Sequence, residues 1–190
     1  VNENNGIAKA SVYIPDVSYY QNSLLDGNID FNSDNGDTKV HIKGNYSNNT
    51  LDNEVNISFA ARNDSLNTNI QWSSAEMDEL NLDIAALTTF EHFDKQNKWL
   101  KSSHQMKESG ITFNNTDWEI SKFQIATDSG KVSIDNFRLA NNNQSISVDG
   151  LISADSTDIL DITLRDIDID NLFKMFNIND IEFSGIASAD

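Results

Sequence analysis

Apolar side chains recur at every second position over short stretches through most of the chain. Val40, Ile42 and Tyr46 alternate with Lys39, His41, Lys43 and Asn45. Val55, Ile57, Phe59 and Ala61 alternate with Asn56, Ser58 and Ala60, and Leu66, Thr68, Ile70 and Trp72 alternate with Asn67, Asn69 and Gln71. The pattern continues through Leu80, Leu82 and Ile84, Val132 and Ile134, Ile146, Val148 and Ile152, and Leu160, Ile162 and Leu164. It closes on Ile181, Phe183 and Ile186. A period of two sends alternate side chains to opposite faces of an extended strand and cannot line one face of a helix. The chain is therefore expected to be all-β, with about a dozen antiparallel strands, each apolar on one side.

The breaks between stretches fit that expectation. Asparagine fills 26 of the 190 positions and clusters at Asn48-Asn49, Asn114-Asn115 and Asn141-Asn142-Asn143. Asparagine tolerates the left-handed conformation and bonds its own backbone, so such clusters mark turns. One parity conflict is local: Ile162 and Leu164 share one parity, Ile167 and Ile169 the other. A single extra residue near Arg165-Asp166 restores the apolar face, which predicts a bulge or a strand break there. One short helix is predicted near 170–176, where Asp170 can cap a turn carrying Leu172, Phe173 and Phe176. The stretch from Phe90 to Glu108 has no sustained apolar stripe and is read as a hairpin turning near Asp94 to Asn97.

Charge and composition exclude several function classes. Thirteen basic against 30 acidic side chains give a net charge of −17. Such a surface repels phosphate backbones, which argues against nucleic acid as a partner, and it disfavours docking on anionic head groups. No stretch reaches the ~18 apolar residues of a membrane-spanning helix. There is no cysteine, hence no disulfide, thiolate metal site or cysteine nucleophile. The start on Val1-Asn2-Glu3 and the end on Ser188-Ala189-Asp190, with no signal peptide, read as those of a processed product or an excised piece.

Catalytic and metal signatures are weak. His41, His92 and His104 form no pair at ligand spacing and are read as solvated surface residues; no metal and no cofactor are expected. No nucleophile elbow, phosphate loop or dinucleotide fingerprint is present, so the chain is read as a non-enzyme. Asp166, Asp168 and Asp170 alternate with Ile167 and Ile169 and would share one strand face. Oxygen ligands of that kind suit calcium, but the closing Glu of a calcium loop is missing, and a solvated acidic face explains them better. Six Asn-x-Ser/Thr triplets occur, a number that a chain so rich in these residues makes by chance.

The segment from Ile111 to Asp190 resembles a family. Its elements are Asn115 to Ile120 (Asn-x-x-Trp-x-Ile), Ser133 to Phe137, Gln144 to Gly150, Asp158 to Leu172 and Phe183-Ser184-Gly185. Ile70-Gln71-Trp72 and Leu87 to Phe90 fit more loosely. Together they are similar to the TamB-like subunits of the translocation and assembly module (the AsmA/TamB type), in their Bacteroidetes form. The resemblance implies a fold: an elongated antiparallel sheet curled into a taco-like trough with an apolar interior. It implies that residues 1–190 are one segment of a larger envelope protein, with a softer boundary near 108–112. Such proteins are anchored in the inner membrane, span the periplasm and meet an Omp85-type outer-membrane partner. They are implicated in phospholipid movement between the membranes and in outer-membrane protein assembly.

On that reading phospholipid acyl chains are the guests. Parity selects the groove lining: Val40, Ile42, Ile57, Phe59, Ile70, Trp72, Leu82, Ile84, Ile146, Val148, Leu160, Ile162 and Leu164. The alternation alone leaves a second reading open, a closed β core acting as a structural or interaction module in outer-membrane protein assembly and secretion. Such a module would bind through a sheet edge, and the same edge could drive self-association.

Overall fold

The computed structural model describes residues 6–20, 22–48, 51–74, 80–94, 99–113, 115–168 and 185–189. They form one antiparallel sheet of fourteen strands, and no helix occurs among them. The strands are β1 (Ala8–Tyr19), β2 (Asn22–Asp34), β3 (Asp37–Asn48), β4 (Leu51–Arg62), β5 (Ser65–Ser74), β6 (Asn81–Asp94) and β7 (Trp99–Met106). They continue as β8 (Ser109–Phe113), β9 (Thr116–Ile120), β10 (Phe123–Asp128), β11 (Lys131–Asn141), β12 (Gln144–Ile152), β13 (Leu160–Asp168) and β14 (Ile186–Ala189). The helix predicted near 170–176 lies outside the described residues, as do Asp170, Ile181 and Phe183.

The topology is a meander. β6 pairs with β7 through Ala86–Asp94 and with β8 through Asn81–Asp83, so β7 and β8 are two halves of one interrupted lane. β9 and β10 are the two halves of the next: β8 pairs with β9, β7 with β10, and both β9 and β10 pair with β11. Counted this way the sheet has twelve lanes, each bonded only to the lanes before and after it in sequence. At ~4.8 Å per lane the path from first to last is about 53 Å along the sheet.

Turn chemistry makes this possible. Asn35-Gly36 and Ser129-Gly130 form two-residue loops in which both residues have positive φ (49° and 88°, 48° and 82°). That backbone matches the twist of a tight hairpin. Asn63 and Asn142 open two further two-residue loops, again at positive φ (50° and 46°). The hairpin expected after Phe90 is also present, since Asp94 pairs with Trp99. Its turn, 95–98, lies outside the described residues.

Besides a slip between Phe90 and His92 in β6, three bulges keep the apolar side chains on one side. The register slips by one residue between Leu25 and Asn28, between Ile134 and Phe137, and between Leu164 and Ile167. Each slip carries a non-glycine residue at positive φ: Asp26, Asn136 and Asp166. The third is the bulge that the parity of Ile162, Leu164 and Ile167 predicts. Asn136 N–H is satisfied by the Asp149 carboxylate (2.8 Å) and Asp166 N–H by the Ser188 hydroxyl (3.0 Å), so the donors freed from the ladder find partners.

The buried apolar residues are few. Among the described residues only Trp118, Ile120, Leu139 and Ile167 are shielded from solvent, with Ile111, Phe123, Phe137, Ile146 and Leu164 packed against them. The chain exposes 13182 Å², against about 9,000 Å² for a compact protein of this mass.

Candidate binding face

Directly paired residues of an antiparallel sheet lie on the same face, so the register shows which side chains meet. One row runs Val12, Ile29, Ile42, Ile57, Ile70 and Ile84 across β1 to β6. Beside it runs Ala10, Phe31, Val40, Phe59, Thr68, Ala86, Met106 and Phe123. On its other side Val55, Trp72, Leu82, Ile111 and Trp118 pair in turn. Beyond the buried cluster Ile146 pairs with Leu164 and Val148 with Ile162, while Leu160 faces Gly150.

All thirteen residues chosen by parity therefore stand on the one apolar face, and none of them is fully buried. Twelve are half-buried and Ile162 is 49% exposed. Ile146 and Leu164 differ from the rest because they pack against the chain's own buried cluster. The register also brings in residues that sequence reading left out: Ile29, Phe31, Ile111 and Trp118. Their alternation, as in Ile29-x-Phe31 and Trp118-x-Ile120, was the available signal.

Polar handles on the face are sparse. Trp72 Nε1 donates to Asn53 Oδ1 (3.2 Å), and its ring lies 5.5 Å from that of Tyr46. His104 overturns its reading as a solvated surface residue. It is half-buried on the apolar face, with Thr88 Oγ1 at 3.0 Å from Nδ1 and Ser102 Oγ at 3.0 Å from Nε2. The cause is register: His104 falls opposite Thr88 on one side and Ile125 on the other. His41 is exposed on the opposite face, bonded to Asn56 Oδ1 at 2.7 Å, and the side chain of His92 lies outside the described set.

The opposite face is polar. A depression of about 600 Å³ lies there, lined by Asn69, Gln71, Asp83, Lys107, Glu108 and Glu119 among others, where the lanes of β7/β8 and β9/β10 are interrupted. Among the described residues no group of three or more His, Asp or Glu side chains could hold a metal. The shared face expected for Asp166, Asp168 and Asp170 is broken at Asp166, which occupies the bulge. The ion pairs Lys43–Glu54 at 3.0 Å, Arg62–Asp37 at 3.1 Å and Lys101–Glu91 at 2.9 Å are exposed, whereas in Lys131–Asp158 (3.3 Å) the carboxylate is partly covered.

The fold and face define a class, an all-β protein built as a single antiparallel meander. No protein-family model matches the chain, and no curated protein or solved structure matches it.

Proposed function

We propose that this chain is a segment of a TamB-like periplasmic bridge whose apolar face forms a groove for phospholipid acyl chains passing between the inner and outer membranes. In this reading the sheet curls into a taco-like trough with the isoleucine row inside. The protein performs no catalysis and needs no cofactor. The longer protein is anchored in the inner membrane and meets an Omp85-type partner at the outer membrane.

One observation carries the reading: the row of isoleucines from Ile29 to Ile84, continuous over five strands and only half-buried. A sandwich core covers such a row with the side chains of a second sheet. Here four apolar side chains in all are buried among the described residues, and they lie away from that row. Each acyl methylene laid on such a surface and withdrawn from water gains about 0.8 kcal/mol. From Val12 to Ile84 the row crosses six strands, about 24 Å at the usual spacing. The net charge of −17 keeps so open a sheet soluble.

The test is lipid carriage. Protein expressed with a cell-envelope leader is purified without detergent and its organic extract is analysed by mass spectrometry. Phospholipid is expected to accompany the wild type and the Asn67→Asp variant, whose change lies on the opposite, exposed side. Ile57→Asp is expected to lose it, with circular dichroism confirming that the sheet has formed. Equal lipid in the two variants, or none in the wild type, overturns the reading.

A second reading has its own observation. Among the described residues β1 pairs only with β2, and its residues are almost all exposed, including Val12 at 51% and Tyr13 at 63%. Such an edge can add a strand, as a module assisting outer-membrane protein assembly would require. Co-purifying peptide in place of lipid favours it.

A further inference from the structure

Four polar side chains cross the apolar face at the junction of β6, β7 and β10. Thr88 Oγ1 lies 3.0 Å from His104 Nδ1, His104 Nε2 lies 3.0 Å from Ser102 Oγ, and Ser102 Oγ lies 2.9 Å from Thr127 Oγ1. Thr127 Oγ1 is in turn 3.1 Å from the Leu100 carbonyl oxygen. Thr88 and Ser102 are buried, at 8% and 5% exposure. The flanking residues on the same face are Ala86 and Phe90 in β6, Met106 in β7, and Phe123 and Ile125 in β10, with no charged group among them.

We infer that these contacts form a one-way hydrogen-bond relay that holds neutral His104 as the Nε2–H tautomer. The direction follows from the last link. A carbonyl oxygen only accepts, so Thr127 spends its single hydroxyl hydrogen on Leu100. Thr127 then accepts from Ser102, which leaves Ser102 only lone pairs to offer His104. The ring must therefore donate from Nε2, and its bare Nδ1 accepts from Thr88. The opposite direction sets two acceptors against each other at Thr127 and Leu100 and loses a bond. The link at stake is the exposed end of the chain of contacts, and a made bond there against an unmade one favours the Nε2–H form. The relay links three strands through side chains where the backbone ladder passes from β6 to β10. Every hydrogen in it is spent within the relay, so toward the apolar face it offers lone pairs only.

The inference rests on these hydrogen bonds alone and is independent of what occupies the face. Nitrogen-15 NMR of histidine-labelled protein, at a pH where the ring is neutral, reads it directly. The expected spectrum has a proton-bearing, pyrrole-type Nε2 and a bare, pyridine-type Nδ1 at His104. Thr127→Val removes the terminal link and is expected to give a mixture of both tautomers, while Thr127→Ser keeps the single form. A wild-type spectrum with the proton on Nδ1, or one with the two tautomers mixed, overturns the assignment without recourse to any variant. A Thr127→Val spectrum unchanged from wild type overturns the relay as its cause.

Discussion

Gly150 sits so close to Ile159 that a β-carbon built on it would lie 2.3 Å from the Ile159 carbonyl oxygen, and its φ is +125°. The same carbonyl accepts the Leu151 N–H at 2.8 Å, which anchors the return from β12 to β13. Both the space and the torsion therefore require glycine. Gly150→Ala is expected to cost more than about 2 kcal/mol, because the clash is with backbone and cannot be relieved by a rotamer. Urea unfolding at unchanged m-value checks it; a loss below about 0.5 kcal/mol contradicts it.

Stability is expected to concentrate around β9, β11 and β13. Trp118→Ala removes a side chain at 6% exposure from the buried cluster and is expected to cost about 3–5 kcal/mol. Ile57→Ala, from the half-buried row, is expected to cost about 1 kcal/mol, since much of that side chain meets water in the folded state too. Chemical denaturation of the two variants decides the matter. Comparable losses would mean that the row is packed as tightly as the cluster.

Acid should loosen the turn after β12 locally. Thr157 donates to Asp155 Oδ1 from both its backbone N–H (3.0 Å) and its hydroxyl (2.8 Å). These two bonds hold the Asp155 carboxyl below its ordinary 3.8. A lowered value means that the folded state favours the ionised form. The contribution is present above 3.8 and fades as pH falls through the lowered value. The Thr157 amide should keep its hydrogen-exchange protection down to that window and lose it below. Loss well above pH 4 would contradict the assignment.

Surface ion pairs should matter little. Lys43 and Glu54 meet at 3.0 Å across β3 and β4, yet their side chains are 56% and 51% exposed. Lys43→Ala is expected to shift stability by less than about 1 kcal/mol, and less in high salt. Thermal unfolding at low and high salt measures both.

Alkaline conditions should release a different contact. Tyr13 donates its hydroxyl to Asp26 Oδ1 at 2.8 Å, and this bond together with the carboxylate charge raises the phenol above 10.0. The bond joining β1 to the β2 bulge is complete below pH 10.0 and is lost as pH rises through the raised value. Ultraviolet titration should show one tyrosine ionising later than the rest, and Asp26→Ala, which removes both the acceptor and the charge, should abolish the delay.

Strand identity was legible because alternation reports one face of one strand, and it needs no knowledge of neighbours. The bulge at Asp166 was legible for the same reason: Leu164 and Ile167 are three apart, and only an extra residue reconciles them. The same reasoning applied to Ile134 and Phe137 would have located the Asn136 bulge. Cross-strand relations were not legible. The pairing of His104 with Thr88 depends on the slip between Phe90 and His92, which leaves no mark in the residues themselves even though the turn after Asp94 does. Likewise Trp118 and Ile120 read as two more alternating apolar residues, and only the lateral pairing of β9 with β11 shows why they are covered.

The strict neighbour-to-neighbour order of the lanes has a consequence for how such a chain changes length. Hairpins can be duplicated or deleted in pairs without re-threading anything, because no distant strand must be found again. Architecture of this kind resembles a ruler cut to measure: its span is set by the number of copies of a simple unit, and selection for reach can act on that number while leaving each unit's packing intact.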